Sequence, residues 1–160
     1  MQRALVGYAI LVMLASGPAL AAEQPRFEDF PVDDASDGET RLPDFEGRDR
    51  AFANYKTQIS EGLKEGPNFA GHYSVIQIGC GTGCSRVYIA DNRSGQAFAF
   101  PRGGEDHFML DLSFEPGSRL LKARWADFDN DDCVLESFEW DGSEAAVIDK
   151  TSLGDKDACM

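Results

Sequence analysis

The chain has 160 residues, enough for one domain with a sizeable core. It carries 15 Lys and Arg against 28 Asp and Glu, a formal net charge of −13. That balance disfavours nucleic acid and anionic membrane surfaces as partners and admits a cationic protein, a cation or a neutral ligand.

Residues 1–21 read as a signal peptide. Arg3 supplies the positive start, and Leu5 to Ala15 form an apolar run too short to span a bilayer. Ser16-Gly17-Pro18 breaks the run, and Ala19-Leu20-Ala21 is an A-x-A cleavage site. Cleavage leaves 139 residues beginning at Ala22, with a net charge of −14. The expected location is the bacterial periplasm or the exterior, as a monomer with no membrane attachment once the signal is removed.

Residues 22–46 are acidic and broken by Pro25, Pro31 and Pro43, which predicts an extended leader with Phe27, Phe30 and Phe45 as pins to the body. Residues 47–160 then form a single disulfide-stabilised, β-rich domain. Arg48 to Leu63 predicts a helix, because Phe52, Tyr55, Ile59 and Leu63 share one face. Gly62 and Gly66 read as its stop signals, and Pro67 closes the segment.

From His72 onward the period changes to two. Tyr73 to Ile78 is apolar on both faces and predicts a central strand. Arg86 to Ala90, the Asp91-Asn92-Arg93-Ser94-Gly95 turn and Gln96 to Phe100 continue the pattern. Phe108, Leu110, Leu112 and Phe114 mark one apolar face of the next strand. Arg119 to Ala126, Cys133 to Trp140, the Asp141-Gly142 turn and Glu144 to Ile148 complete the set. The expected fold is α+β and mainly β. It is an antiparallel meander of about seven strands, as a curved sheet or partly open barrel, with one N-terminal helix packed on it.

Cys80, Cys84, Cys133 and Cys159 all follow the signal, and an even count in an exported domain implies two disulfides. Three pairings are open. Closeness in sequence favours Cys80–Cys84 with Cys133–Cys159. Residues 79 to 84, Gly-Cys-Gly-Thr-Gly-Cys, lack the following helix and the Lys-Ser/Thr of a phosphate loop. The spacing also departs from the C-x-x-C of redox-active disulfides. A pinned turn remains, with glycines that allow positive φ and a backbone open to a partner at low ordering cost.

Asp127, Asp129 and Asp131 have the 1, 3, 5 spacing of a calcium loop. Asp132 replaces the glycine of that loop and Phe138 its bidentate glutamate, so the chain holds no EF-hand and at most a weak calcium site. The two histidines, His72 and His107, have no zinc spacing, and no serine lies in a nucleophile elbow.

Asn68-Phe69-Ala70-Gly71-His72-Tyr73, then Gly79-Cys80-Gly81-x-x-Cys84, then Asp91 to Gly95, resemble a family of small exported bacterial proteins. That family carries N-F-A-G-x-Y, G-C-G-x-x-C and D-x-x-x-G, and this chain matches every element over residues 48 to 101. The resemblance implies export and the cysteine turn and brings no activity with it. Ser94-Gly95-Gln96-Ala97-Phe98 is similar to the S-G-x-x-Y loop of one group of periplasmic lysozyme inhibitors, with Phe98 in place of its tyrosine. The binding candidates are therefore Asn68, His72, Tyr73, Gly81, Thr82, Gly83 and Ser94.

The expected function is a non-catalytic periplasmic binding protein, an inhibitor or scavenger of a cationic protein such as a lysozyme-like hydrolase, with no cofactor. The alternatives are a small hydrolase or isomerase using His72 or His107, and a calcium-dependent surface protein.

Overall fold

The computed structural model describes residues 23–34 and 38–160, and the segment expected as a signal peptide lies outside them. Seven antiparallel strands form two sheets that do not close into a barrel. The first sheet holds β1 (Tyr73–Gly81), β2 (Cys84–Asp91) and β3 (Ala97–Ala99). The second holds β4 (Phe108–Phe114), β5 (Leu120–Asp127), β6 (Asp132–Trp140) and β7 (Ala145–Asp155), in that order. Before them, a 3-10 segment at Arg50–Tyr55 runs into the helix α1 (Lys56–Lys64).

Period-two alternation explains the layering. Tyr73 and Val75 of β1, with Val87 and Ile89 of β2, face Leu121, Ala123, Val134 and Phe138 of the second sheet. The opposite face of the first sheet presents Ile76, Tyr88 and Ala90 to Ile59 and Leu63 of α1. Ile59 and Leu63 are fully buried, which stabilises the fold by about 1.5–3 kcal/mol for each side chain. Gly62 does not end the helix. A Cβ there would stand 2.6 Å from the Ile76 side chain, so this glycine lets α1 approach the sheet. The helix ends at Gly66, whose φ of +94° suits a glycine stop.

Strand β4 departs from simple alternation. Its register shifts between Phe108 and Asp111, and Met109 has φ +56°. This bulge divides the predicted apolar face. Leu110 stays in the core between the sheets, while Phe108 packs against Ala126, Cys133 and Cys159.

The acidic N-terminal segment lies along the body. Pro31 bridges Ser118, Arg119 N–H donates to Phe30 C=O at 2.8 Å, and the Ser118 hydroxyl donates to Phe27 C=O at 2.8 Å. Phe45 packs beside α1. Among the described residues no helix is long and apolar enough to cross a membrane.

Candidate functional site

Two features stand at opposite ends of β1. At its start, Ala70 (φ +44°) and Gly71 (φ +82°) reverse the chain so that Phe69 and Tyr73 exchange main-chain hydrogen bonds at 2.9 Å. At its end, the Cys80–Cys84 disulfide closes the turn into β2. Strand geometry separates them by about 20 Å, so His72 and the cysteine turn do not share a surface.

The start of β1 gathers three of the predicted residues. His72 Nδ1 lies 2.9 Å from Asp91 Oδ1, and the Ser94 hydroxyl donates to Asp91 Oδ2 at 2.7 Å. Burial pushes the Asp91 carboxyl up. The hydrogen bonds from Ser94, His72 and the Arg93 N–H outweigh it and hold the group below the usual carboxylate range. An ionised carboxylate only accepts, so His72 Nδ1 carries the proton and its Nε2 is the acceptor in the neutral ring. The serine is bound to the acid and not to the imidazole, which differs from the order of a catalytic triad. Ser94-Gly95 acts as turn chemistry. Gly95 has φ +74°, and a Cβ there would meet Leu42 C=O at 2.4 Å.

The His72 ring stacks on Tyr73 at 4.3 Å, and Tyr73 meets Trp140 edge-on at 5.3 Å. These rings line a cleft of about 210 Å³, closed by Val32, Asp33 and Asp34 on one side and Asp141 and Gly142 on another. Burial, with the negative charge of Asp91 beside it, raises the Tyr73 hydroxyl pKa. The Trp140 indole N–H is near enough to favour the ionised hydroxyl, yet it does not close to hydrogen-bond geometry. Trp140 Nε1 is the buried side-chain donor without a partner among the described residues. Asp34 pairs with Arg93 at 2.7 Å, and Asp141 accepts the Ser143 and Glu144 N–H groups at 2.8 Å. Asp33 is exposed and forms no ion pair among the described residues.

Asn68 has an architectural task. Its Oδ1 accepts Val75 N–H at 2.8 Å and its Nδ2 donates to Val75 C=O at 3.2 Å, as a neighbouring strand would. In the cysteine turn, Gly81 and Thr82 are exposed, and Gly83 is held because its C=O accepts Met109 N–H at 2.7 Å. A Cβ on Gly83 would stand 2.2 Å from the Phe108 ring, which ties this glycine to packing. The second disulfide joins Cys133 to Cys159 and draws the 3-10 turn Lys156–Cys159 onto the start of β6. Both cross-links fit a protein exported to an oxidising compartment.

Two of the three candidate aspartates of the acidic loop, Asp127 and Asp131, are already engaged. Asp127 Oδ1 accepts the N–H groups of Asp129 and Asn130 at 3.1 Å, Asp127 Oδ2 accepts Asn130 Nδ2 at 2.8 Å, and Asp131 pairs with Lys156. Among the described residues no three His, Cys, Asp or Glu side chains cluster to hold a metal. His107 is apart from His72. Its Nδ1–H donates to Gly103 C=O at 2.9 Å and its ring meets Trp125 edge-on.

Three buried polar centres escape a sequence reading. Asp49 is 1 % exposed and accepts Ala97 N–H, Asp44 N–H and the Arg48 guanidinium. Asn92 donates to Leu63 C=O at 3.0 Å and accepts the Ser74 hydroxyl at 2.7 Å. Glu136 lies between the sheets, 2.6 Å from Arg102 Nε and 3.4 Å from Lys150 Nζ. Each has at least one partner far away in sequence, Ala97 for Asp49, Leu63 for Asn92 and Arg102 for Glu136, so no local pattern announces them.

Comparison with known proteins gives no matching family model, no matching curated protein and no matching solved structure.

Proposed function

We propose that this protein is a periplasmic, non-catalytic binder of a cationic protein, with a lysozyme-like hydrolase as the class of partner. The observation that carries the reading is the cleft at the start of β1. The His72, Tyr73 and Trp140 rings line it together with the exposed carboxylate of Asp33, which forms no ion pair among the described residues. A basic loop supplies a lysine or arginine head for the rings and the carboxylate. The overall charge of −13 steers such a partner. Calorimetric titration with a basic lysozyme tests the reading. Binding that weakens as salt rises and falls in Trp140→Phe and Asp33→Asn supports it, and no binding at low ionic strength overturns it.

A second reading rests on the His72–Asp91 pair. An imidazole oriented by a carboxylate is the arrangement of a general base, which suits a small periplasmic hydrolase or isomerase. Turnover of any ester, amide or racemisable substrate that is lost in His72→Gln would support this reading. Equal background rates in the two proteins would remove it.

A further inference from the structure

We propose that the outer edge of β1 is a docking groove for an extended, lysine- or arginine-bearing peptide segment, which joins the first sheet as an added strand. The inference rests on the reading that the partner is cationic, and it adds where that partner's main chain is taken.

Strand β1 has β2 on one side and, among the described residues, no strand on the other. His72 C=O accepts Asn92 N–H, and Phe100 N–H donates to Val87 C=O on the far side of β2. The alternation of an antiparallel ladder then turns the main-chain groups of Ser74, Ile76 and Ile78 toward β2. Those of Tyr73, Val75, Gln77 and Gly79 point outward. Phe69 and Asn68 occupy the outward groups of Tyr73, and the Asn68 side chain occupies those of Val75. The covering stops there. Gln77 and Gly79 are exposed, and their outward N–H and C=O groups have no partner among the described residues.

A cavity of about 420 Å³ runs along this open stretch, with α1 as its other wall. A Cβ on Gly79 would meet nothing within 4 Å, so the approach is clear. The Cys80–Cys84 disulfide pins the end of the strand, which lowers the ordering cost of pairing. Lysine, proline or a covering segment blunts many natural edges; Gln77 to Gly79 has none of these, and the register shift after Gly79 bounds the open stretch.

Charge selects the occupant. Glu61 of α1 and Glu65, which follows the helix, line the groove, are exposed, and form neither an ion pair nor a side-chain hydrogen bond among the described residues. Lys64 on the same helix does not line it. A second copy of this chain would bring the same two glutamates and a charge of −13 to the same edge. A basic strand places alternate side chains beside them while its main chain pairs with Gln77 and Gly79.

The test uses a synthetic peptide of alternating lysine and valine and the same peptide N-methylated at alternate residues. Amide exchange is read at Gln77 and Gly79, and a nuclear-resonance signal is read from the Trp140 indole. The expected result is protection at Gln77 and Gly79 with the plain peptide and loss of binding on N-methylation, which keeps the charge and removes the donors. Gly79→Pro, which removes one outward N–H, weakens binding by roughly fivefold. Should that variant unfold, Glu61→Gln with Glu65→Gln carries the comparison, because both side chains are exposed, and it also weakens binding. Equal binding of the two peptides overturns the proposal. A response of the Trp140 indole without protection at the edge also overturns it and leaves the cleft reading standing. Protection at the edge with a silent indole upholds the proposal and removes the cleft from the binding reading. Self-association with protection of Gln77 in the absence of peptide assigns the edge to a second copy and overturns the proposal.

Discussion

The Asn68 side chain substitutes for a strand. It accepts the N–H of Val75 and donates to its C=O across the outer edge of β1. Replacing it with alanine removes two hydrogen bonds and bares the edge. Asn68→Ala is expected to destabilise the fold by about 1–3 kcal/mol, read from urea unfolding. Asn68→Asp is expected to do no better, because it keeps an acceptor for the N–H and sets a second acceptor against the Val75 carbonyl.

The two disulfides should contribute unequally. On the chain-entropy account, the sequence separation of 26 between Cys133 and Cys159 corresponds to about 3.5 kcal/mol and the separation of 4 between Cys80 and Cys84 to about 2 kcal/mol. Paired serine substitutions at each bridge, followed by thermal unfolding, should therefore show the larger loss for Cys133–Cys159.

Much of this architecture is legible in the residues. Ile59 and Leu63 share a helical face, Tyr73 to Ile78 is apolar on both sides, and the disulfide pairing follows from closeness in sequence. What escapes is non-local. Gly62 reads as a stop until Ile76 is seen against it. The stripe from Phe108 to Phe114 reads as one face until Met109 breaks the register. Asp91 and Ser94 read as a turn, and only the fold brings His72 to them. Trp140 reads as a strand end, and only the fold sets its ring against Tyr73 and Phe98 from two separate segments.

Acid should destabilise the protein through Asp91 and Asp49. In both, burial raises the pKa and hydrogen bonds from neighbours outweigh it, so the folded value lies below the unfolded one. Such a group contributes its stability above the unfolded pKa and loses it as pH falls through the folded one. Asp91→Asn should flatten the loss of stability below about pH 4, the ordinary aspartate range, measured as urea midpoints against pH.

Arg102 covers the buried carboxylate of Glu136 and lies over the Trp125 and Phe138 rings at 5.7 and 5.3 Å. Arg102→Met keeps much of the packing and leaves Glu136 with Lys150 alone. The expected loss is about 3 kcal/mol, and Arg102→Met with Glu136→Leu should recover most of it. A double-mutant cycle checks both statements.

Calcium should have little to bind. Asp127 spends both oxygens on its own turn, and Asp131 is paired with Lys156. Millimolar calcium should leave the melting temperature unchanged, and a rise of several degrees would return the loop to the list of ligand sites.

In both sheets every strand pairs with its neighbour in the chain. Each hairpin can therefore form without waiting for a distant segment, and the loops closed on the way are short. Antiparallel β proteins are slow to fold when their pairings are remote, because the entropy of closure precedes the reward. Remote bonds, such as Ser118 to Phe27, Asp49 to Ala97 and Gln77 to Leu110, join the outer segments and the two sheets to one another, while the ladders within each sheet are local. The order in which the polypeptide is synthesised, N-terminus first, is thus also an order in which its hairpins can assemble.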